Sequence, residues 1–135
     1  MLGSVTIVAK QERLTRVYYV EDCFEVRTRV SRELAHIDGI ELVGCAERAA
    51  EAIACIRRSR PDVVVLDLQL REGTGIDILR ELRNDDRPPL MIVLTNQSDS
   101  TSRERSLKAG ARHYFDKSTE SHEFLALLAR LAGCS

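Results

Sequence analysis

Five polar side chains stand where strand-like runs end: Glu21 and Asp22 after residues 16–20, Asp67 after 63–66, Thr95 after 90–94 and Lys117 after 112–116. A carboxylate at such an end has left the hydrophobic layer and points into the crevice where open α/β sheets hold their ligands. Three carboxylates meeting there would repel one another by about 1–4 kcal/mol per close pair at a surface-like dielectric, so they call for a cation. Ligands that are all oxygen, with positions left for water, suit Mg²⁺. An aspartate nucleophile (Asp67), a cation held by its acidic neighbours, and a hydroxyl (Thr95) and an ammonium (Lys117) for the remaining oxygens make a phosphoryl-transfer site. Taken singly, Asp67 could cap a turn, Asp22 could be a helix N-cap, Thr95 a strand-end turn residue and Lys117 a solvated lysine. Coincidence at four separate strand ends is the weaker account.

Such a meeting needs strands whose carboxyl ends share one edge. Residues 63–66 are four apolar residues in a row, three of them β-branched, as a strand buried on both faces requires. The turn at 72–75 then gives way to helical spacing. Residues 16–20, 41–46, 90–95 and 112–116 read as the other strands. Cys23, Val26, Val30, Leu34 and Ile37 trace the apolar stripe of a first helix, with Cys23 expected to be buried and Arg27, Arg29, Arg32 and Glu33 on the solvent face; Asp38-Gly39 stops it. Ala49, Ile53 and Ile56 line a second helix over 47–59, and Ile76, Leu79 and Leu82 a third that ends near 84–86. The fourth helical stretch, 98–109, has only Leu107 and Ala109 to anchor it, which predicts weak attachment. Phe124, Leu127, Leu128 and Leu131 line the last helix, capped by Ser118 or Thr119. This alternation predicts an α/β fold, a parallel sheet with helices on both faces joined by right-handed crossovers. The expected form is the flavodoxin-like doubly wound (βα)5 fold, whose five-stranded parallel sheet runs in the order 2-1-3-4-5. In that order the first and third strands are neighbours, so Glu21, Asp22 and Asp67 share one crevice.

A chain of 135 residues accommodates one domain. Residues 1–15 read as an N-terminal extension, partly disordered and carrying a β-like piece at 5–9; 16–132 as the domain; 133–135 as a tail. Lys plus Arg (20) nearly balances Asp plus Glu (21), for a net charge of −1, which gives no reason to expect direct nucleic-acid binding. The four cysteines, Cys23, Cys45, Cys55 and Cys134, form no Cys-x-x-Cys pair and match no zinc spacing, so free thiols in a reducing cytoplasm are expected. No apolar run approaches a membrane span, and the start has no secretory signal pattern.

The stretches VYYVED, VVVLDLQLREGTGIDILRELR, MIVLTN and LKAGARHYFDK together resemble the response-regulator receiver domain of two-component signalling, over roughly residues 16–131. The resemblance implies that Glu21 and Asp22 are the acidic pair for Mg²⁺, that Asp67 is the phosphoacceptor and a metal ligand, and that Thr95 and Lys117 contact the phosphoryl group. It also makes the Gln69 backbone carbonyl a further metal ligand and Tyr114 an aromatic that changes rotamer on activation. Two positions depart from the family pattern: Ser118 follows the lysine where a proline is frequent, and Arg71 stands four residues after Asp67 where many members have proline.

By the same resemblance, a histidine kinase or His-phosphotransfer protein supplies the phosphoryl group. The added charge draws Thr95 and Lys117 inward, Tyr114 turns, and the surface of the fourth helix, fifth strand and fifth helix is read by a downstream output domain or protein. The domain would catalyse only its own phosphorylation and dephosphorylation; a homodimer through the fourth and fifth helices is compatible with it. Gln69 and Gln97, each two residues past a site residue, would flank the water that attacks in dephosphorylation. One competing reading is a pseudo-receiver that binds a partner without phosphorylation, which Ser118 and Arg71 permit. Another is a haloacid-dehalogenase-type phosphatase; its Asp-x-Asp motif has Gln69 at the second position here. No Gly/Ser/Thr-rich loop follows the first strand, which disfavours a flavodoxin-like cofactor site.

Overall fold

The computed structural model describes residues 13–97 and 99–133. The β-like piece expected at 5–9, Ser98 and positions 134–135 lie outside the described residues. In chain order the elements are β1 (Thr15–Val20), α1 (Phe24–Ala35), β2 (Ile40–Ala46), α2 (Ala49–Ser59), β3 (Val63–Leu66), α3 (Gly75–Leu82), β4 (Leu90–Thr95), α4 (Ser100–Ala109), β5 (His113–Asp116) and α5 (Ser121–Gly133). The first strand and last helix each run one residue past the expected limits of 16 and 132. All four strand pairings are parallel, and the sheet order is β2-β1-β3-β4-β5.

The centre of the sheet explains the apolar run. Side chains alternate across a strand, so Val63 and Val65 join α1 and α5 through Val30, Leu34, Phe124, Leu127 and Leu128. Val64 and Leu66 face the opposite way, toward α2, α3 and α4, where Ala52, Ile56, Ile78, Leu79 and Ala109 lie. Each of these strand side chains exchanges water for close packing, worth about 1.5–3 kcal/mol when burial is complete. The edge strand β2 is half-exposed along most of its length.

Four local expectations are corrected. Cys23 is exposed, because it is the N-cap residue of α1 and precedes the first helical turn, so the stripe does not reach back to it. Leu107 is 41% exposed; α4 buries Ala109, as expected, together with Ser106. Ser118 and Thr119 do not cap α5: both backbone N–H groups turn back to Asp116 Oδ1, at 2.7 and 3.1 Å, and the helix starts at Ser121. Arg27 does not simply face solvent, since its guanidinium donates to the Glu21 carbonyl at 2.8 Å and to Glu47 Oε1 at 3.1 Å.

Candidate functional site

The β1–β3 pairing runs to Val20 and Leu66, and the Asp67 N–H extends it by donating to the Val20 carbonyl at 3.1 Å. The next residues of both strands therefore emerge side by side. Asp67 Oδ1 accepts from the Leu68 N–H at 2.7 Å and from the Gln69 N–H at 3.4 Å. Its Oδ2 accepts from Lys117 Nζ at 2.7 Å, and the same ammonium reaches Glu21 Oε1 at 2.7 Å. Glu21 Oε2 takes the Cys23 N–H at 3.1 Å, and the buried Tyr19 hydroxyl lies 3.5 Å from Oε1.

Glu21, Asp67 and Lys117 are buried, and Asp22 is half-buried. Charges withdrawn from water are tolerated only when paired, and Lys117 is the pairing group for two carboxylates at once. Burial works to lower the Lys117 ammonium, but the hydrogen bonds it donates to Asp67 and Glu21, with the charges of both carboxylates, outweigh this and hold the group above its ordinary value. Burial pushes the Glu21 carboxyl up and the Asp67 charge adds to this, while Lys117 and the Cys23 N–H pull it back.

Glu21, Asp22 and Asp67 each offer a carboxylate oxygen, and these atoms lie within 4.8 Å of one another. Three formal negative charges against the single ammonium leave an excess of two, and the donor set is hard oxygen throughout. That combination fits a divalent cation of the Mg²⁺ type.

Thr95 ends β4 opposite Asp116. It is buried, and its Oγ1 accepts the Gln97 N–H at 3.3 Å. The Lys117 N–H donates to the Thr95 carbonyl at 2.9 Å, so hydroxyl and ammonium are carried on adjacent chain segments. Tyr114 is buried, and its hydroxyl has no hydrogen-bond partner among the described residues. Burial pushes that hydroxyl up to about 12, and the Arg103 guanidinium sits 5.7 Å from the ring centroid. Gln69 is exposed and Gln97 half-buried.

Some supporting residues were not singled out from the sequence. Gly75 opens α3, and a Cβ there would overlap the Asp67 carbonyl oxygen and come within 2.9 Å of Leu68 Cα. Only glycine allows the helix to seat against the Asp67 loop. Thr74 and Asp77 form a reciprocal capping box in the same place, a signal that the spacing Thr-x-x-Asp carries in the sequence. Arg27, which reaches Glu21 and Glu47, and Asn96, whose Oδ1 accepts from Ser118 Oγ at 3.1 Å, gave no such signal, because their partners belong to other loops.

A family model for the response regulator receiver domain matches residues 17–129. Among curated proteins, the response regulator GacA of Pseudomonas viridiflava is 33% identical over 104 residues, covering 77% of this chain and 49% of that protein. The response regulator MprA of Mycobacterium sp. (strain KMS) is 35% identical over 118 residues, covering 86% and 50%. The chain thus spans about half the length of these relatives. Among solved structures, a two-component response regulator of the LuxR family from Aurantimonas sp. SI85-9A1 matches with a TM-score of 0.79 and 31% identity over 86% of each chain. The BeF3-activated N-terminal receiver domain of Klebsiella pneumoniae RstA matches with a TM-score of 0.77 and 32% identity, over 87% of this chain and 97% of that one. Among the described residues, no helix is long and apolar enough to cross a membrane.

Proposed function

We infer, because this chain belongs to the response regulator receiver domain family, that residues 16–132 form its phosphoacceptor unit and that Asp67 is the residue phosphorylated. The observation that carries this reading is the Asp67 carboxylate, bonded to Lys117 Nζ at 2.7 Å within reach of Glu21 and Asp22. An Asp67 carboxylate oxygen attacks the phosphorus of a phosphohistidine on a histidine kinase or His-phosphotransfer protein. The P–N bond breaks, its electron pair leaves with the imidazole nitrogen, and that nitrogen takes up a proton. Glu21, Asp22, Asp67 and the Gln69 carbonyl would hold Mg²⁺, which would supply neutralisation for the incoming phosphoryl oxygens. Lys117 and the Thr95 hydroxyl bind the oxygens that remain; Thr95 Oγ1 already accepts from Gln97, which leaves its proton for donation.

Water ends the phosphorylated state: its oxygen attacks the phosphorus, the P–O bond to Asp67 breaks, the carboxylate is restored and inorganic phosphate leaves, with Gln69 and Gln97 flanking the approach of the water. The domain performs no other chemistry. Thr95 and Tyr114 carry the state of Asp67 to α4, β5 and α5, and the light anchoring of α4 suits a surface with two arrangements separated by a few kcal/mol. A cytoplasmic location and a downstream output domain or protein go with this role; direct nucleic-acid contact by this domain does not.

Intact mass after exposure to a small acyl phosphate tests it. Wild type gains one phosphoryl group only when Mg²⁺ is present, and Asp67→Asn gains none. A folded wild type that binds Mg²⁺ yet stays unmodified would instead be a phosphorylation-independent binding module.

A further inference from the structure

The two donors that would close on a phosphoryl group, the Thr95 hydroxyl and the Lys117 ammonium, sit where the β4–β5 ladder runs out at Thr95 and Asp116. Beyond that level the two chain segments diverge toward helices of unequal anchoring. Lys117 leads into α5, which buries Phe124, Leu127 and Leu128, and its carbonyl accepts from Ser121 Oγ at 2.7 Å. Thr95 leads into α4, which buries only Ser106 and Ala109. Thr95 itself is buried at the end of β4 and its carbonyl accepts the Lys117 N–H at 2.9 Å, so the lightly packed part on this side is the loop after Thr95 and the helix it enters.

One side-chain hydrogen bond joins the two segments directly past the donors: Ser118 Oγ donates to Asn96 Oδ1 at 3.1 Å. Ser118 is itself fixed, because its N–H donates to Asp116 Oδ1 at 2.7 Å. Asn96 is the residue next to Thr95, and the following N–H, that of Gln97, donates to Thr95 Oγ1. We propose that the Asn96–Ser118 hydrogen bond is a clasp that extends the Lys117–Thr95 backbone contact by one step, holding the loop after Thr95 against the Lys117 segment so that the Thr95 hydroxyl and the Lys117 ammonium meet the phosphoryl oxygens together. Asn96 and Ser118 touch no reacting atom in this scheme; they are positioning residues. The proposal rests on Asp67 being the phosphoacceptor.

Binding of BeF3⁻, an unreactive stand-in for the phosphoryl group, separates the two ideas. Its affinity at saturating Mg²⁺, read by ¹⁹F NMR, is compared across wild type, Asn96→Ala, Ser118→Ala, the double variant and Ser118→Thr. A single exposed hydrogen bond predicts about a threefold loss in each alanine variant. The double variant loses no more than either single one, because both remove the same interaction. Ser118→Thr keeps the hydroxyl and binds as wild type does. Mg²⁺ affinity, measured without BeF3⁻, is the same in all five proteins, since its ligands follow the ends of β1 and β3. Single variants that match wild type, losses that multiply in the double variant, a Thr variant as weak as the Ala one, or a parallel fall in Mg²⁺ affinity would each overturn the clasp. A wild type that binds Mg²⁺ but no BeF3⁻ overturns the phosphoacceptor reading and the clasp with it.

Discussion

Lys117 is the residue on which the buried charges depend. Its ammonium is the shared partner of Glu21 and Asp67, and removing one member of a buried ion pair leaves an uncompensated charge that costs about 3–5 kcal/mol. Lys117→Met therefore lowers the urea midpoint, and Mg²⁺ recovers part of the loss by standing again between the carboxylates. A midpoint that falls without responding to Mg²⁺ would mean that the damage is packing alone. At this scale the sequence was informative about which side chains matter and silent about their pairing. That an acid, a lone Asp and a lysine end three runs was legible; that one ammonium bridges Glu21 and Asp67 was not, because 96 and 50 residues separate the partners. Cys23 was misread for a related reason: periodicity says where a stripe lies but not at which residue the helix begins.

At the level of elements, the contact between α3 and the Asp67 loop is the tightest constraint on the site. The Gly75 N–H donates to the Leu68 carbonyl at 2.9 Å, and no room exists for a Cβ. Gly75→Ala is expected to destabilise the fold by about 1–3 kcal/mol through overpacking and to slow phosphorylation as well, since the residues forced apart carry Asp67. Denaturant midpoints and the rate of mass gain from an acyl phosphate measure the two effects; a loss of stability with an unchanged rate would show that the helix shifts without moving Asp67. The five strands of the sheet were readable, most plainly β3 and β4, whose apolar runs have few other uses. Helix starts were less so. The α5 cap was assigned to Ser118 or Thr119 on residue type, whereas Asp116 takes both of their N–H groups and delays the helix. Two residue types that can each cap a turn compete, and geometry chooses between them.

The molecule as a whole carries a titration outside the acidic crevice. His113 is half-buried on β5, with its ring stacked near Phe115. Burial first, then Arg112 and Arg130, hold its imidazole below its ordinary value. In the interval between the folded and ordinary values the unfolded chain binds the extra proton, so stability rises with pH there. The contribution is complete above the ordinary value of 6.5 and is lost as pH falls through the depressed one. Glu21 works in the opposite sense, since a raised carboxyl favours folding at low pH. Comparing urea midpoints of wild type and His113→Gln from neutral to mildly acidic pH isolates the histidine: the variant has the shallower decline, and parallel curves would reject the assignment. The sequence by itself determined the alternation of five strands and five helices and the acid, hydroxyl and lysine at the strand ends, because burial and strand-end chemistry are written in local residue patterns; the order of the sheet came from the fold that this alternation resembles. Only the tertiary structure decided that Lys117 bridges two carboxylates, that Gly75 must lack a side chain, that Tyr114 lies inside and that Asn96 meets Ser118. Those facts depend on angstrom-scale distances between segments remote in the chain, and such distances are set by packing the whole sheet and its helices at once.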